Sequence, residues 1–330
     1  MIPFDYQRAD DARSAITTVA ARPGAAFLGA GTNLVDHMKL GVAAPDLLVD
    51  VSRLPFDAVE PLDGGGVRIG ATVRNSDLAA EPVIRQRYPV LAAAVLAGAS
   101  GQLRNLATTA GNMLQRTRCV YFQDVTTPCN KRRPGSGCSA LEGYTRDHAI
   151  FGASMSCVAV HPSDMAVALT ALDAVVQVEG PTGPHSIPIT DFYRLPGDEP
   201  QRDTVLDHGE LITAVDLPDL PLAARSAYRK VRDRASYAFA LVSVAVAVDV
   251  VDGTIREARV ALGGVAHKPW RARRTEDALR GAPVTEEAFR QAAAVELGEA
   301  RPLPDNAFKV AMARNTVVAV LRGLTRGEGR

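Results

Sequence analysis

The chain has 330 residues, 47% of them hydrophobic and 22% charged, which is enough apolar material for two or three packed units and excludes a mainly disordered chain. Its 37 Lys and Arg balance 37 Asp and Glu, for a formal net charge of +0, so no nucleic-acid partner and no anionic membrane surface is expected. The opening MIPFDYQRAD has no basic run before an apolar core and predicts no signal peptide on this chain, and the longest apolar stretch, residues 238–251, is below the ~20 residues that span a bilayer.

In chain order, an extended FDYQRA precedes a helical pattern over residues 9–21, with Asp10 or Asp11 as N-cap, ended by Pro23-Gly24. A short apolar strand then meets the small-residue turn Gly29-Ala30-Gly31-Thr32-Asn33 and a helix-like LVDHMKL. DLLVDVS reads as β structure, and PLDGGGVRIGATVRN as a hairpin turning at Gly64 to Gly66. Residues 78–99 are Ala-rich helices split by Pro89. Beyond a cysteine-bearing segment, Ser163 caps an apolar helix MAVALTALDA, and AVVQVE, GPTGPHSIPI and ELITAVDL read as strands. Residues 195–201 are rich in Pro and Gly, and Pro218-Asp219-Leu220-Pro221 reads as a linker. The last third opens with SAYRKVRDR and a long hairpin turning at Asp252-Gly253, followed by helices over residues 274–280, 286–297 and 308–324. Strands followed by helices indicate α+β rather than a doubly wound parallel sheet.

The four cysteines, Cys119, Cys129, Cys138 and Cys157, share one window, with successive spacings of 10, 9 and 19 positions. Those spacings match neither a zinc ribbon nor a bacterial ferredoxin run. The residues by themselves leave open two disulfides, a structural zinc, unrelated buried thiols or a Cys₄ iron–sulfur cluster. The window carries Pro128, Pro134, Gly135, Gly137 and Gly143 and no persistent apolar period, so it reads as a loop that a metal centre could organise. Arg116, Arg118, Lys131, Arg132 and Arg133 surround the thiols. They read as a field that raises a cluster's potential, as a solvated face, or as a docking patch for an acidic partner.

Two small-residue turns can approach a phosphate: LGAGTNLV, and QLRNLATTAGNMLQ with Thr108, Thr109, Gly111 and Asn112. Neither is a Rossmann fingerprint or a P-loop, and together with His-Pro-Ser-Asp at residues 161–164 they suggest a split nucleotide site. There is no G-x-S-x-G elbow and no H-E-x-x-H, so no catalytic residue is expected on this chain.

These same motifs resemble the FAD-binding subunits of the molybdenum hydroxylases, the xanthine dehydrogenase and CO dehydrogenase flavoprotein family, over essentially the whole chain. The family's AGGTDLL turn is matched at residues 29–35, its IRNxATIGGN segment at residues 103–112, its SDLxPALLALDA helix at residues 163–174 and its YxK segment at Tyr228-Arg229-Lys230. Ala30 and Ala110 stand where the family has Gly, which requires negative φ or room for a methyl. Asn112 and Asp164 are 52 positions apart, where most members need about ten residues. Members with such an insertion hold a [4Fe–4S] cluster there. They fall into a 4-hydroxybenzoyl-CoA reductase branch and a periplasmic aldehyde oxidoreductase branch, and the cysteine segment resembles the second.

The resemblance implies an α+β fold. A two-lobed FAD-binding domain of the vanillyl-alcohol-oxidase (PCMH) type over residues 1–218 would carry a cluster-binding insertion at about 115–157. A CO dehydrogenase flavoprotein-like C-terminal domain over residues 222–330, with antiparallel sheet and helices, would follow. It implies FAD held by Leu28, Gly29, Ala30, Gly31, Thr32, Asn33 and Leu34, by Thr108, Thr109, Gly111 and Asn112, and by Asp164 and Lys230. A [4Fe–4S] cluster would sit on Cys119, Cys129, Cys138 and Cys157. The implied activity is electron transfer within an oxidoreductase that converts aldehydes to carboxylic acids. A [2Fe–2S] subunit and a molybdenum-cofactor subunit would be partners in a heterotrimer, with an external electron acceptor. The compartment would be the periplasm, through a partner's export signal, or the cytoplasm. The alternatives are a 4-hydroxybenzoyl-CoA reductase subunit and a scaffold with a structural cluster and vestigial FAD. If Lys230 has only a structural role, it would pair with Asp233 or another surface carboxylate.

Overall fold

The computed structural model describes residues 1–325. Three sheets organise it. β1 (Asp5–Arg8), β2 (Ala25–Leu28) and β3 (Leu47–Asp50) form a parallel sheet in the order β1-β3-β2. The helix Ala12–Ala21 makes the crossover between β1 and β2. It starts later than its apolar pattern because Asp11 caps it, accepting from the Ser14 N–H at 2.7 Å.

The second sheet is antiparallel and joins β4 (Val59–Pro61), β5 (Val67–Gly70), β6 (Val175–Gly180), β7 (Gly183–Pro188) and β8 (Leu211–Leu217) in the order β4-β5-β8-β6-β7. The cysteine segment is thus spliced between β5 and β6 of one sheet. The third sheet is also antiparallel. It runs β12-β11-β10-β9, from β9 (Ser226–Val231), β10 (Val242–Val251), β11 (Thr254–Gly263) and β12 (Trp270–Arg271).

Alternation along β10 explains its largely apolar sequence, interrupted only by Ser243 and Asp249. Val242, Val244, Val246 and Val248 join one core with Phe289, Val317 and Leu321 of the C-terminal helices. Ala245, on the other face, joins a different core with Leu169 and Leu172 from the helix Asp164–Ala171 and its cap. A strand covered on both faces has no polar face to show. All eight residues of that helix are buried. Its Ser163 cap accepts from the Ala166 N–H at 3.0 Å and donates to Asn112 Oδ1 at 2.7 Å. The helix start is therefore locked to the second small-residue turn across 51 positions.

The cysteine segment is less irregular than its composition suggests. It contains the short helix Val120–Gln123, and an isolated antiparallel bridge joins Cys129 to Cys138. Among the described residues no helix is long and apolar enough to cross a membrane.

Candidate cofactor sites

The two small-residue turns face each other. Gly29 to Asn33 connect β2 to the helix Leu34–Lys39, and Thr108 caps the helix Thr109–Met113, accepting from the Gly111 N–H at 3.3 Å. A cavity of about 200 Å³ and another of about 410 Å³ open on either side, and Gly31, Thr32, Asn33 and Gly111 line both. Gly31 is needed for its backbone: φ is +74°, and a Cβ there would lie 2.9 Å from Val35 Cγ2. A Cβ on Gly111 would lie 2.9 Å from Thr108 Oγ1. Ala30 and Ala110 take negative φ, so each methyl is tolerated; Ala110 lies within the helix Thr109–Met113.

The larger cavity also receives Asn112, Asp164 and Lys230. Lys230 Nζ donates to Asp164 Oδ2 at 2.8 Å and to the Ala97 carbonyl at 3.2 Å, and Tyr228 O–H donates to Asp164 Oδ1 at 2.5 Å. The Lys230 and Asp164 side chains are only 4% and 7% exposed. Burial, with the Asp164 charge behind it, pushes the Tyr228 phenol well above its ordinary range. Lys230 therefore does not pair with Asp233, which instead binds Arg146 at 2.8 Å; β9 points Lys230 inward, towards the helix Asp164–Ala171.

Two of the expected binding residues line neither cavity. Thr109 is buried, and its hydroxyl donates to the Val73 carbonyl at 3.2 Å, as expected of a residue facing inward one position after a cap. Leu28 packs its side chain towards Gly31 at the end of β2. Gly29, Ala30, Leu34 and Thr108 line the smaller cavity. Sequence reasoning missed Asn75, His37, Phe56, Arg104 and Phe239, which also line the two cavities. Asn75 is 2% exposed and its Oδ1 has no partner, a buried acceptor facing no protein donor. Only its place before an Ala-rich helix marked it in the sequence. Burial, reinforced by the Arg118 charge, pushes the His37 imidazole down to about 4.

The four cysteines are all free and line one pocket together with Asn130 and Lys131. Gly135 and Gly137, at φ +82° and +100°, turn the chain between Cys129 and Cys138. Asn130 Oδ1 closes that turn by accepting from the Gly137 N–H at 2.8 Å. Burial pushes the thiols of Cys119 and Cys157 up to about 12 and about 11. Cys157 Sγ accepts from the Ala159 N–H at 3.5 Å, and His148 Nε2 lies 3.2 Å from Cys119 Sγ. The expectation of a metal centre meets one negative finding. Among the described residues no three His, Cys, Asp or Glu side chains are gathered as the ligands of one metal ion.

The surrounding basic residues are not a solvated face. Lys131 is 2% exposed and binds the Asp203 carboxylate and the Pro200 carbonyl. Arg116 Nε donates to Asp203 Oδ2 at 2.7 Å, and the Arg116 backbone N–H donates to Asn33 Oδ1 at 2.9 Å. Arg132 donates to the carbonyls of Tyr121, Phe122 and Thr127. Arg118 reaches Asp36 at 3.4 Å and lies over Phe239, 5.0 Å from the ring centroid. Arg133 alone of the five is exposed.

Comparison with known proteins places this architecture. Residues 2–220 match the family "FAD binding domain in molybdopterin dehydrogenase", and residues 226–324 match "CO dehydrogenase flavoprotein C-terminal domain". The chain is 53% identical over 323 residues to the aldehyde oxidoreductase FAD-binding subunit PaoB of Escherichia coli, covering 97% of this chain and 98% of that one. It is 26% identical to the glyceraldehyde dehydrogenase medium chain of Sulfolobus acidocaldarius, over 92% and 90% of the two chains. The carbon monoxide dehydrogenase structure from Hydrogenophaga pseudoflava superposes with a TM-score of 0.75 at 26% identity, over 97% of each chain. With two cavities meeting at paired glycine turns and both family regions matched, the chain belongs to the FAD-binding subunits of the molybdenum hydroxylases, oxidoreductase subunits of the aldehyde oxidoreductase and xanthine dehydrogenase family.

Proposed function

We propose that this chain is the electron-transfer subunit of a heterotrimeric molybdenum-dependent aldehyde oxidoreductase, carrying FAD and a [4Fe–4S] cluster. Its substrate aldehyde would be oxidised on a molybdenum-bearing partner, a [2Fe–2S] partner would relay the electrons, and this chain would pass them to an external acceptor. The observation that carries the reading is the near full-length likeness to an aldehyde oxidoreductase subunit, together with four free cysteines on one pocket.

FAD fits the paired cavities. The turn at residues 29–34 supplies backbone N–H groups for a diphosphate. The Thr108–Asn112 turn, whose N–H groups from Thr109 to Asn112 bond within the chain, closes the opposite wall, and the unpartnered Asn75 Oδ1 supplies an acceptor in the larger cavity. Asp164 and Lys230 line that same cavity, where Lys230 would place positive charge beside a flavin and Asp164 would accept from its hydroxyls. When bound, FAD would take up electrons singly from iron–sulfur carriers, hold up to two and pass them onward.

A [4Fe–4S] cluster matches the donor set of the cysteine pocket, where four thiols are present and, among the described residues, no three ligands are gathered for a single ion. A cubane takes each thiolate at a different iron, so its four sulfurs stand farther apart than the ligands of one zinc. Cys119, Cys129, Cys138 and Cys157 would hold it, and four free thiols lining one pocket support that donor set. We also propose that the complex works in the periplasm, exported folded with a partner that carries the signal.

The test is metal, sulfide and flavin analysis of the purified complex. We expect one FAD and about four iron and four acid-labile sulfide per copy of this chain. Zinc in place of iron, or disulfides among the four cysteines, would overturn the cluster; absence of flavin would favour a scaffold.

A further inference from the structure

Cys119 differs from the other three thiols in having an imidazole against its sulfur. His148 Nε2 lies 3.2 Å from Cys119 Sγ, and His148 is 4% exposed. The residue is held from several sides, chiefly through its main chain. Its backbone N–H donates to the Thr145 carbonyl at 3.0 Å. Its own carbonyl accepts from Asn306 Nδ2 and from Lys309 Nζ, each at 3.0 Å. Lys309 lies on the helix Phe308–Thr325, is 0% exposed, and also binds the Gly264 carbonyl at 2.8 Å. Tyr121, on the helix that Cys119 opens, stacks on the ring at 6.2 Å between centroids and 26° between planes.

The other ring nitrogen, Nδ1, is buried without a partner. An unpaired lone pair is the less costly orphan, since buried N–H groups without acceptors are rarer than under-used acceptors. The favoured tautomer therefore carries its proton on Nε2, aimed at the sulfur. A thiolate bound to iron only accepts hydrogen bonds, and this tautomer matches it.

We propose that His148 is a positioning residue for the cysteine pocket: its Nε2–H donates to the Cys119 sulfur and favours the reduced state of the cluster bound there. The inference rests on the cluster reading above. Hydrogen bonds to cluster sulfurs raise the reduction potential, because an added electron makes the sulfur a better acceptor. The helix Phe308–Thr325 anchors the His148 main chain through Lys309, and the Tyr121 stack orients the ring.

The test uses the intact complex with His148→Leu and His148→Gln, read by iron content and by EPR-monitored redox titration. His148→Leu is expected to keep its iron and shift the cluster to a lower midpoint potential. His148→Gln, which retains an N–H donor, is expected to recover most of that shift, and the flavin potential should move in neither variant. A cluster potential unchanged in His148→Leu, or lowered equally in both variants, overturns the assignment. Loss of iron from both alike assigns His148 to packing and overturns it too. Iron absent from the wild-type complex instead overturns the cluster reading itself, and so separates the two failures.

Discussion

Gly31 shows how one residue conditions the site. Its φ of +74° lies in the left-handed region, and a β-branched side chain there is a strained outlier. Gly31→Val adds both that strain, of order 1–3 kcal/mol, and a clash with Val35. We predict loss of bound FAD with iron content unchanged, measured by flavin release and metal analysis; normal flavin occupancy would place the diphosphate elsewhere. Lys230 has two effects that can be separated. Removing it in Lys230→Met leaves the Asp164 carboxylate buried with only the Tyr228 hydroxyl, which costs about 3–5 kcal/mol of stability. Lys230→Met combined with Asp164→Asn should regain much of that loss in denaturant melts. If FAD still binds, the single variant should also lower the flavin midpoint potential, since a charge-assisted contact of roughly 1.5 kcal/mol corresponds to about 30 mV in a two-electron couple. A potential that does not move would assign Lys230 to structure alone.

At the scale of elements, the loop around Asp203 links the two cofactor sites. Asp203 comes from a stretch that follows the Pro- and Gly-rich segment and carries no periodic signal of its own. Yet its carboxylate accepts from Lys131, inside the cysteine segment, and from Arg116, whose backbone N–H holds Asn33 in the first glycine turn. The Arg116 guanidinium also lies 4.8 Å from the Phe122 ring centroid, and Phe122 meets His37 edge-on at 5.5 Å. Two cations therefore share one carboxylate, and against its burial they hold the Asp203 carboxyl well below the usual carboxylate range. Asp203→Asn leaves Lys131 buried without a counter-charge, at about 3–5 kcal/mol. We predict that this variant loses iron and FAD together, unlike Gly31→Val, which loses FAD alone. Selective loss of one cofactor in Asp203→Asn would show that the two sites are held independently.

For the whole molecule, buried neutral histidines set an acid limit. Burial pushes His37 and His267 down to about 4 and His161 to about 3. Above pH ~6.5 each is neutral both folded and unfolded. Below it the unfolded chain binds protons that the folded chain refuses, so stability falls as pH drops from ~6.5 towards 4. The slope is roughly 1.4 kcal/mol per pH unit for each histidine, about 4 kcal/mol for the three. Urea midpoints should decline steeply between pH 6 and pH 5, and His267→Gln should remove about one proton from that slope. A flat profile over this range would contradict the neutral assignment. The sequence alone determined the local elements and the glycine turns: Asp11 and Ser163 cap helices through contacts three residues away, and Asp252-Gly253 turns a hairpin between strands that follow each other. Motif spacing also carried the family, because the turns that admit a diphosphate need small residues wherever they occur. What only the tertiary structure decided is which of those pieces meet. The parallel order β1-β3-β2, the Lys230–Asp164 pair across 66 positions and the Lys131–Asp203 pair across 72 join residues with no local signal for each other. Local rules act over a turn of chain, whereas these contacts form only when burial brings distant charges out of water and leaves each the other's partner.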